Sequence, residues 1–334
     1  MPLRQPLDKC SGDWDIATRD ALVADHPVGL ATRFGGTLLR ALGLGTSAST
    51  TARGKRWKFS TGRPRRPIEE ARELRGLLKA CHPGPSLAVT VLASAYGVSI
   101  GLPASRIALV AATVLTGQLS IGWSNDLIDV NRDRATARRD KPFATGELSI
   151  RAGRVACAVT AIGTVVLSLG NGIGFSEVYL PCVAAGWSYN LGMKGTVLSW
   201  LPYAVAFGGL PVSVALAGGA TSPWWVAVAG ALLGVGAHLM NVLPDLADDE
   251  ATGIHGLAHR LGARRTSLLA VTSLLAASVL LLLIEARTEP VAAGAVAAVV
   301  AVLAGLAMVS DGKTPFYAAM GIAVADVGLL LVAG

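Results

Sequence analysis

The sequence predicts an all-helical polytopic membrane protein. Three observations carry the prediction: 52% of the 334 residues are hydrophobic and only 15% charged, long apolar stretches recur along the chain, and glycine is abundant at 39 residues beside many Ala, Leu and Val. A mean hydropathy of +0.53 excludes an ordinary soluble enzyme. Apolar segments near the roughly 20 residues that cross a bilayer occur at 85–102, 106–124, 152–170, 174–191, 197–217, 224–244, 267–285, 289–309 and 315–333. Small residues let lipid-embedded helices pack closely, whereas a β-barrel would show short alternating strands. The expected fold is therefore a bundle of nine transmembrane helices over 68–334.

Each segment acquires a direction from charge. Fifteen of the 29 Lys and Arg precede residue 85, and seven lie in 132–154. With nine spans, these fall on one face together with Lys194, Arg260, Arg264, Arg265 and Lys313, leaving Arg106 and Arg287 opposite. The positive-inside rule makes that face cytoplasmic, with the N-terminus inside, the C-terminus outside and a bacterial cell membrane as the expected location. The net charge of +7 thus follows membrane topology and does not point to nucleic acid.

Residues 1–67 lack the apolar core of a signal peptide and end in a basic run rich in Ser, Thr, Gly and Pro, TSASTTARGKRWKFSTGRPRRP. They read as a flexible cytoplasmic tail, with a short amphipathic helix conceivable around Phe34, Leu38, Leu39 and Leu42; a later start codon is the alternative. The cysteines, Cys10, Cys81, Cys157 and Cys182, have no CxxC spacing and receive no role.

At the cytoplasmic end of the second span, Asn125, Asp129 and Asp133 are four residues apart. On a helix that spacing lines three oxygen-bearing side chains along one face, with Asp126 about 100° around from it. Asn241, Asp245 and Asp249 repeat the spacing after the sixth span, where Pro244 should bend the helix and Gly253 should close it. Asp248 is one residue off that face. A single carboxylate at a helix end reads best as a solvated interfacial residue. Two equally spaced trios are another matter, because crowded carboxylates at the edge of a low-dielectric region are costly unless protonated or bridged by cations.

Such oxygen ladders beside basic residues suit Mg²⁺ carrying a phosphorylated ligand, since Mg²⁺ keeps water and substrate phosphate in its shell. Arg138, Arg139 and Lys141 follow the first ladder. Lys194 is the one basic residue of its loop and follows Tyr189 and Asn190. These cations can meet diphosphate oxygens, although Arg138 and Arg139 also fit as topology anchors.

The motifs resemble those of the UbiA superfamily of intramembrane prenyltransferases: Asn125-Asp126-x2-Asp129-x3-Asp133, then Lys141-Pro142 and Gly146, and Asp245-x3-Asp249. The resemblance spans roughly residues 70–334. It implies a UbiA-type helical bundle and a Mg²⁺-dependent enzyme that moves a prenyl group from an isoprenoid diphosphate to an aromatic or other lipophilic acceptor. It also implies Asn125, Asp129, Asp133, Asp245 and Asp249 as metal and diphosphate ligands, with Asn241 and Asp126 as lesser members. Tyr189 and Lys194 look similar to the family's tyrosine and lysine between the motifs. Two departures stand out: Lys141 replaces the family's usual arginine, and His82-Pro83 replaces an Arg-Pro that lies near the acceptor end of the family's pocket.

The expected catalytic set is Asp129, Asp133, Asp245, Asp249 and Lys194, with Asn125, Asp126, Arg138, Arg139, Lys141, Tyr189, Asn190 and Asn241 binding substrate. His82 and His238 are candidate bases but read better as histidines satisfied within the bundle, and His255 and His259 as surface residues. Asp326, an ionisable residue in the last span, reads first as a hydrogen-bonded structural group. A membrane terpene cyclase using the same diphosphate, and more remotely a secondary transporter, are the competing readings.

Overall fold

The structure is a computed structural model, and it describes residues 67–246, 253–285, 290–309 and 314–333. Among the described residues it is helical, without a strand. The helices are α1 (Pro67–Ala80), α2 (Pro83–Ser99), α3 (Ala104–Ala135), α4 (Pro142–Thr145), α5 (Ile150–Asn171), α6 (Ile173–Asn190), α7 (Leu201–Ala217), α8 (Trp224–Val242), α9 (Leu257–Glu285), α10 (Pro290–Val309) and α11 (Thr314–Ala333). A helix thus occupies each of the nine apolar segments, and α1 and the four-residue α4 were not anticipated. Residues 1–66, which hold the expected tail and its segment around Phe34, lie outside the described residues.

Starts and stops follow local chemistry. Proline opens α1, α2, α4 and α10 at a position whose N–H needs no partner. Ser149 caps α5, its hydroxyl accepting the Ala152 N–H at 3.2 Å. Gly101, Gly172 and Gly219 take left-handed φ values at three of the turns.

Successive helices pack as neighbours: α3 lies against α2, α5 and α6, α6 against α7, α7 against α8, α8 against α9, and α9 and α10 against α11. One core cluster centres on Tyr96, Val114, Phe175 and Val214, another on Leu239, Leu274 and Ile322. The outward faces are also apolar. Val155, Val159, Ile162 and Val166 form a stripe at helical spacing along α5, each more than half exposed. Lipid is the solvent that makes such a stripe stable. Among the described residues, four helices are long and apolar enough alone to cross a membrane: Ala104–Ala135, Ile150–Asn171, Trp224–Val242 and Leu257–Ile284.

Helix α3 positions the site. At 32 residues it is about 48 Å long, against about 30 Å of hydrocarbon, so it is long enough to extend beyond an apolar core, and its polar side chains gather in its last turns. The first oxygen ladder occupies those turns. The second ladder is differently built: α8 ends at Val242 and the chain continues as a 3₁₀ turn, Leu243–Asp245, around Pro244. The expected bend is a change of helix type, so Asn241 and Asp245 do not share one straight α-helical face.

Candidate active site

Helices α2, α3, α6, α7 and α8, with the segment leading into α9, enclose a cavity of about 480 Å³. That size falls within the usual range of small-molecule sites. Of the expected residues, Asn125, Asp129 and Asp133 of α3 reach its wall, as do Arg138 and Lys141 of the following loop. Tyr189, Asn190 and Lys194 approach from α6 and the 3₁₀ turn Met193–Gly195, and Asn241 from the end of α8. Arg139 is exposed and not on the wall. Asp249 lies outside the described residues, as does the side chain of Asp245, whose backbone closes the 3₁₀ turn.

The carboxylates are tied to cations. Lys194 Nζ donates to both oxygens of Asp129, at 2.8 and 2.6 Å, and Arg132 donates to Asp129 Oδ2 at 2.7 Å. Asp133, one turn further along α3, is buried beside the same cavity. Asp126 is 2% exposed and lies behind the wall. Its Oδ1 accepts from Lys141 Nζ at 2.7 Å and sits 3.0 Å from His82 Nε2. Asp126, expected among the substrate-binding residues, thus lies one step back from the cavity and holds Lys141 and His82, which do face it. Asn190 is on the wall but spends its amide on α3, donating to the Ile121 carbonyl at 2.9 Å and to Ser124 Oγ at 2.8 Å.

In the loop after α3, Arg138 makes a two-point contact with Asp140, at 2.9 and 2.8 Å. The Arg138 guanidinium holds the Asp140 carboxyl down at about 2. A short bridge also fixes the Lys194 turn. Ser199 Oγ accepts from the Leu257 N–H at 3.3 Å and lies 3.1 Å from His238 Nε2, joining the α6–α7 loop to α8 and α9.

Away from the ladder the wall is aromatic. Tyr203 stacks on Phe207 with centroids 6.2 Å apart, meets Tyr189 edge-on at 5.3 Å and lies 4.7 Å from the His238 ring. The cavity is thus polar and cationic at the α3 end and aromatic inside, suited to an anionic head with an apolar tail. Among the described residues no three His, Cys, Asp or Glu side chains converge as a metal cluster.

Sequence reasoning missed Arg132, Gln118 and Ser199 as wall residues and placed His259 on the surface, whereas it also lines the cavity. The i,i+3 spacing of Asp129 and Arg132 was a local signal that could have found that pair. His255 is exposed, as expected. Asp326 is fully buried in α11 and does not line the cavity.

A model of the UbiA prenyltransferase family matches residues 85–324. The chain belongs to that family. The sequence-based resemblance is thereby confirmed, and the apolar helices are those of an integral membrane protein. A search of curated proteins finds no match. Among solved structures, a UbiA homologue from Archaeoglobus fulgidus bound to GPP and Mg²⁺ is similar, with a TM-score of 0.59 and 14% identity, covering 78% of this chain and 100% of that one. A structure of digeranylgeranylglyceryl phosphate synthase gives 0.61 and 13%, covering 78% and 96%. An apo UbiA homologue from Aeropyrum pernix K1 gives 0.57 and 17%, covering 74% and 94%. At these identities the likeness establishes the shared fold.

Proposed function

We propose that the protein is a Mg²⁺-dependent intramembrane prenyltransferase that moves a prenyl group from an isoprenoid diphosphate to a lipophilic acceptor, within a nine-span bundle whose site opens to the cytoplasm. One observation carries the reading: the oxygens of Asn125, Asp129 and Asp133 and the cations Lys194, Arg132, Arg138 and Lys141 share one cavity with the aromatic wall of Tyr203 and Phe207.

The donor set fits Mg²⁺. It consists of carboxylate and amide oxygens, and Asp129 already attracts two cationic groups. A closed protein cage is not required, because Mg²⁺ is ordinarily held by one or two carboxylates plus substrate phosphates. Asn125, Asp129 and Asp133, with Asp245 and Asp249 of the second motif, are the proposed ligands. Bound there, Mg²⁺ would neutralise charge on the departing diphosphate. In the homologue from Archaeoglobus fulgidus, Mg²⁺ and GPP are bound together, which supports the same pairing here.

The chain's own groups do the rest. Lys194, Arg138 and Lys141 draw the diphosphate to the α3 end and stabilise negative charge as the allylic carbon–oxygen bond breaks. The buried bundle keeps water from the allylic cation while Tyr203, Tyr189 and Phe207 present π-faces to it. An acceptor nucleophile then bonds to carbon one and loses its proton.

The test is product analysis by mass spectrometry after supplying prenyl diphosphates and a lipid extract, with and without Mg²⁺. Prenylated lipid formed only with Mg²⁺ is expected, and Asp129→Ala or Asp245→Ala should abolish diphosphate release. Full activity in both variants would overturn the metal assignment. The aromatic cluster favours one second reading, a terpene cyclase. Hydrocarbon formed without any acceptor would support it in place of transfer.

A further inference from the structure

Asp129 is the most contested residue of the cavity. Both of its oxygens accept from Lys194, Oδ2 also accepts from Arg132, and the carboxylate is only 8% exposed. A carboxylate so placed has little room for a further cation until one of the present ones leaves. Lys194 is better suited to leave than Arg132. It stands on a separate three-residue turn, Met193–Gly195, and reaches across 65 residues of sequence, whereas Arg132 is one turn from Asp129 on the same helix. A lysine on a flexible four-carbon stem can swing while its turn stays fixed.

We infer that Lys194 is a placeholder cation, which neutralises Asp129 before the metal arrives and is displaced onto the diphosphate when metal binds. The inference rests on the metal and diphosphate reading of the same site. Its consequence is a linkage with opposite signs for the two ligands. Lys194 competes with the divalent ion for Asp129 but, once freed, adds a charge-assisted contact to the phosphate. Metal and diphosphate therefore bind with positive coupling, and part of that coupling is the transfer of one ammonium group. Arg132 stays behind on Oδ2, so Asp129 is not left as a bare buried charge during the exchange.

The experiment is metal binding by the purified full-length protein in detergent, with Mn²⁺ as the probe followed by electron paramagnetic resonance, first alone and then with inorganic pyrophosphate. Lys194→Met should bind Mn²⁺ alone about tenfold more tightly than wild type, while the factor by which pyrophosphate strengthens Mn²⁺ binding should fall by a similar amount. Arg132→Gln serves as a second variant should Lys194→Met unfold. It removes the other cation from Asp129, so it should also tighten Mn²⁺ binding, but with Lys194 still present it should keep the pyrophosphate coupling of the wild type. Equal or weaker Mn²⁺ binding in a folded Lys194→Met would overturn the exchange while leaving the metal site intact. No Mn²⁺ binding by wild type would overturn the exchange together with the function it rests on.

Discussion

Lys141 and Asp126 meet at 2.7 Å where Asp126 is almost wholly buried, and an ion pair in such a place is costly to break from one side. Lys141→Met would leave the Asp126 carboxylate with His82 and Asn125 as its remaining side-chain contacts, so it should destabilise the protein by about 3 kcal/mol, measurable by thermal unfolding in detergent. Adding Asp126→Asn should recover most of that loss, because the uncompensated charge disappears. The Arg138–Asp140 pair lies at the other extreme, exposed and screened. Its carboxyl is held near 2, below its unfolded value, so its small contribution is fully present above about pH 4 and fades as pH falls toward 2. Melting temperatures of wild type and Asp140→Asn should differ by a constant, small amount above about pH 5 and converge below pH 2. The sequence exposed these residues unequally. Asn125, Asp129 and Asp133 were legible because helical period is a local property, and Lys194 stood out as the lone base of its loop. The bond of Asn190 to Ser124, and that of Ser199 to Leu257, join residues 66 and 58 apart. Nothing local encodes such pairs.

The element that carries Lys194 is held by a close approach of two loops. A Cβ on Gly256 would stand 2.5 Å from the Lys194 carbonyl oxygen and 3.3 Å from Ser199 Oγ, and the first of these is backbone that cannot step aside alone. Gly256→Ala should therefore shift the Lys194 turn and raise KM for the prenyl diphosphate about tenfold, since misplacing a charged contact by an ångström costs on that order or more. Gly294→Ala in α10, where an added Cβ meets nothing within 4 Å, should leave KM unchanged and serves as the control. Small residues do similar work between α7 and α8: a Cβ on Gly234 would lie 2.5 Å from the Tyr203 carbonyl oxygen, so the bare backbone there sets where Tyr203 enters the cavity. Hydropathy revealed these helices as apolar runs. It could not reveal α4, whose Phe143 is 1% exposed, because four residues carry no period and their burial depends on α3 and α5.

At the scale of the molecule, the distribution of Lys and Arg and the alternation of the helices make one joint claim about sidedness. If all nine segments cross, the loops after α3, α6 and α8 share one side, and those after α2, α5 and α7 the other. The first set holds the ladders, Arg138, Lys141 and Lys194; the second holds the glycine turns at Gly101, Gly172 and Gly219. A diphosphate made in aqueous cytoplasm would reach the first set without crossing lipid, while its prenyl tail enters the bundle among apolar side chains. Single cysteines can test this in a background with Cys10, Cys81, Cys157 and Cys182 replaced. In intact cells, a membrane-impermeant maleimide should label a cysteine introduced at Ser222, in the turn before α8, and leave one at Gly195 unlabelled until the membrane is opened. Excess prenyl diphosphate with Mg²⁺ should then slow labelling at Gly195 but not at Ser222, because only the first lies beside the site. Labelling of both positions in intact cells would reject the nine-span arrangement. Labelling of Gly195 alone would keep the alternation and invert its direction.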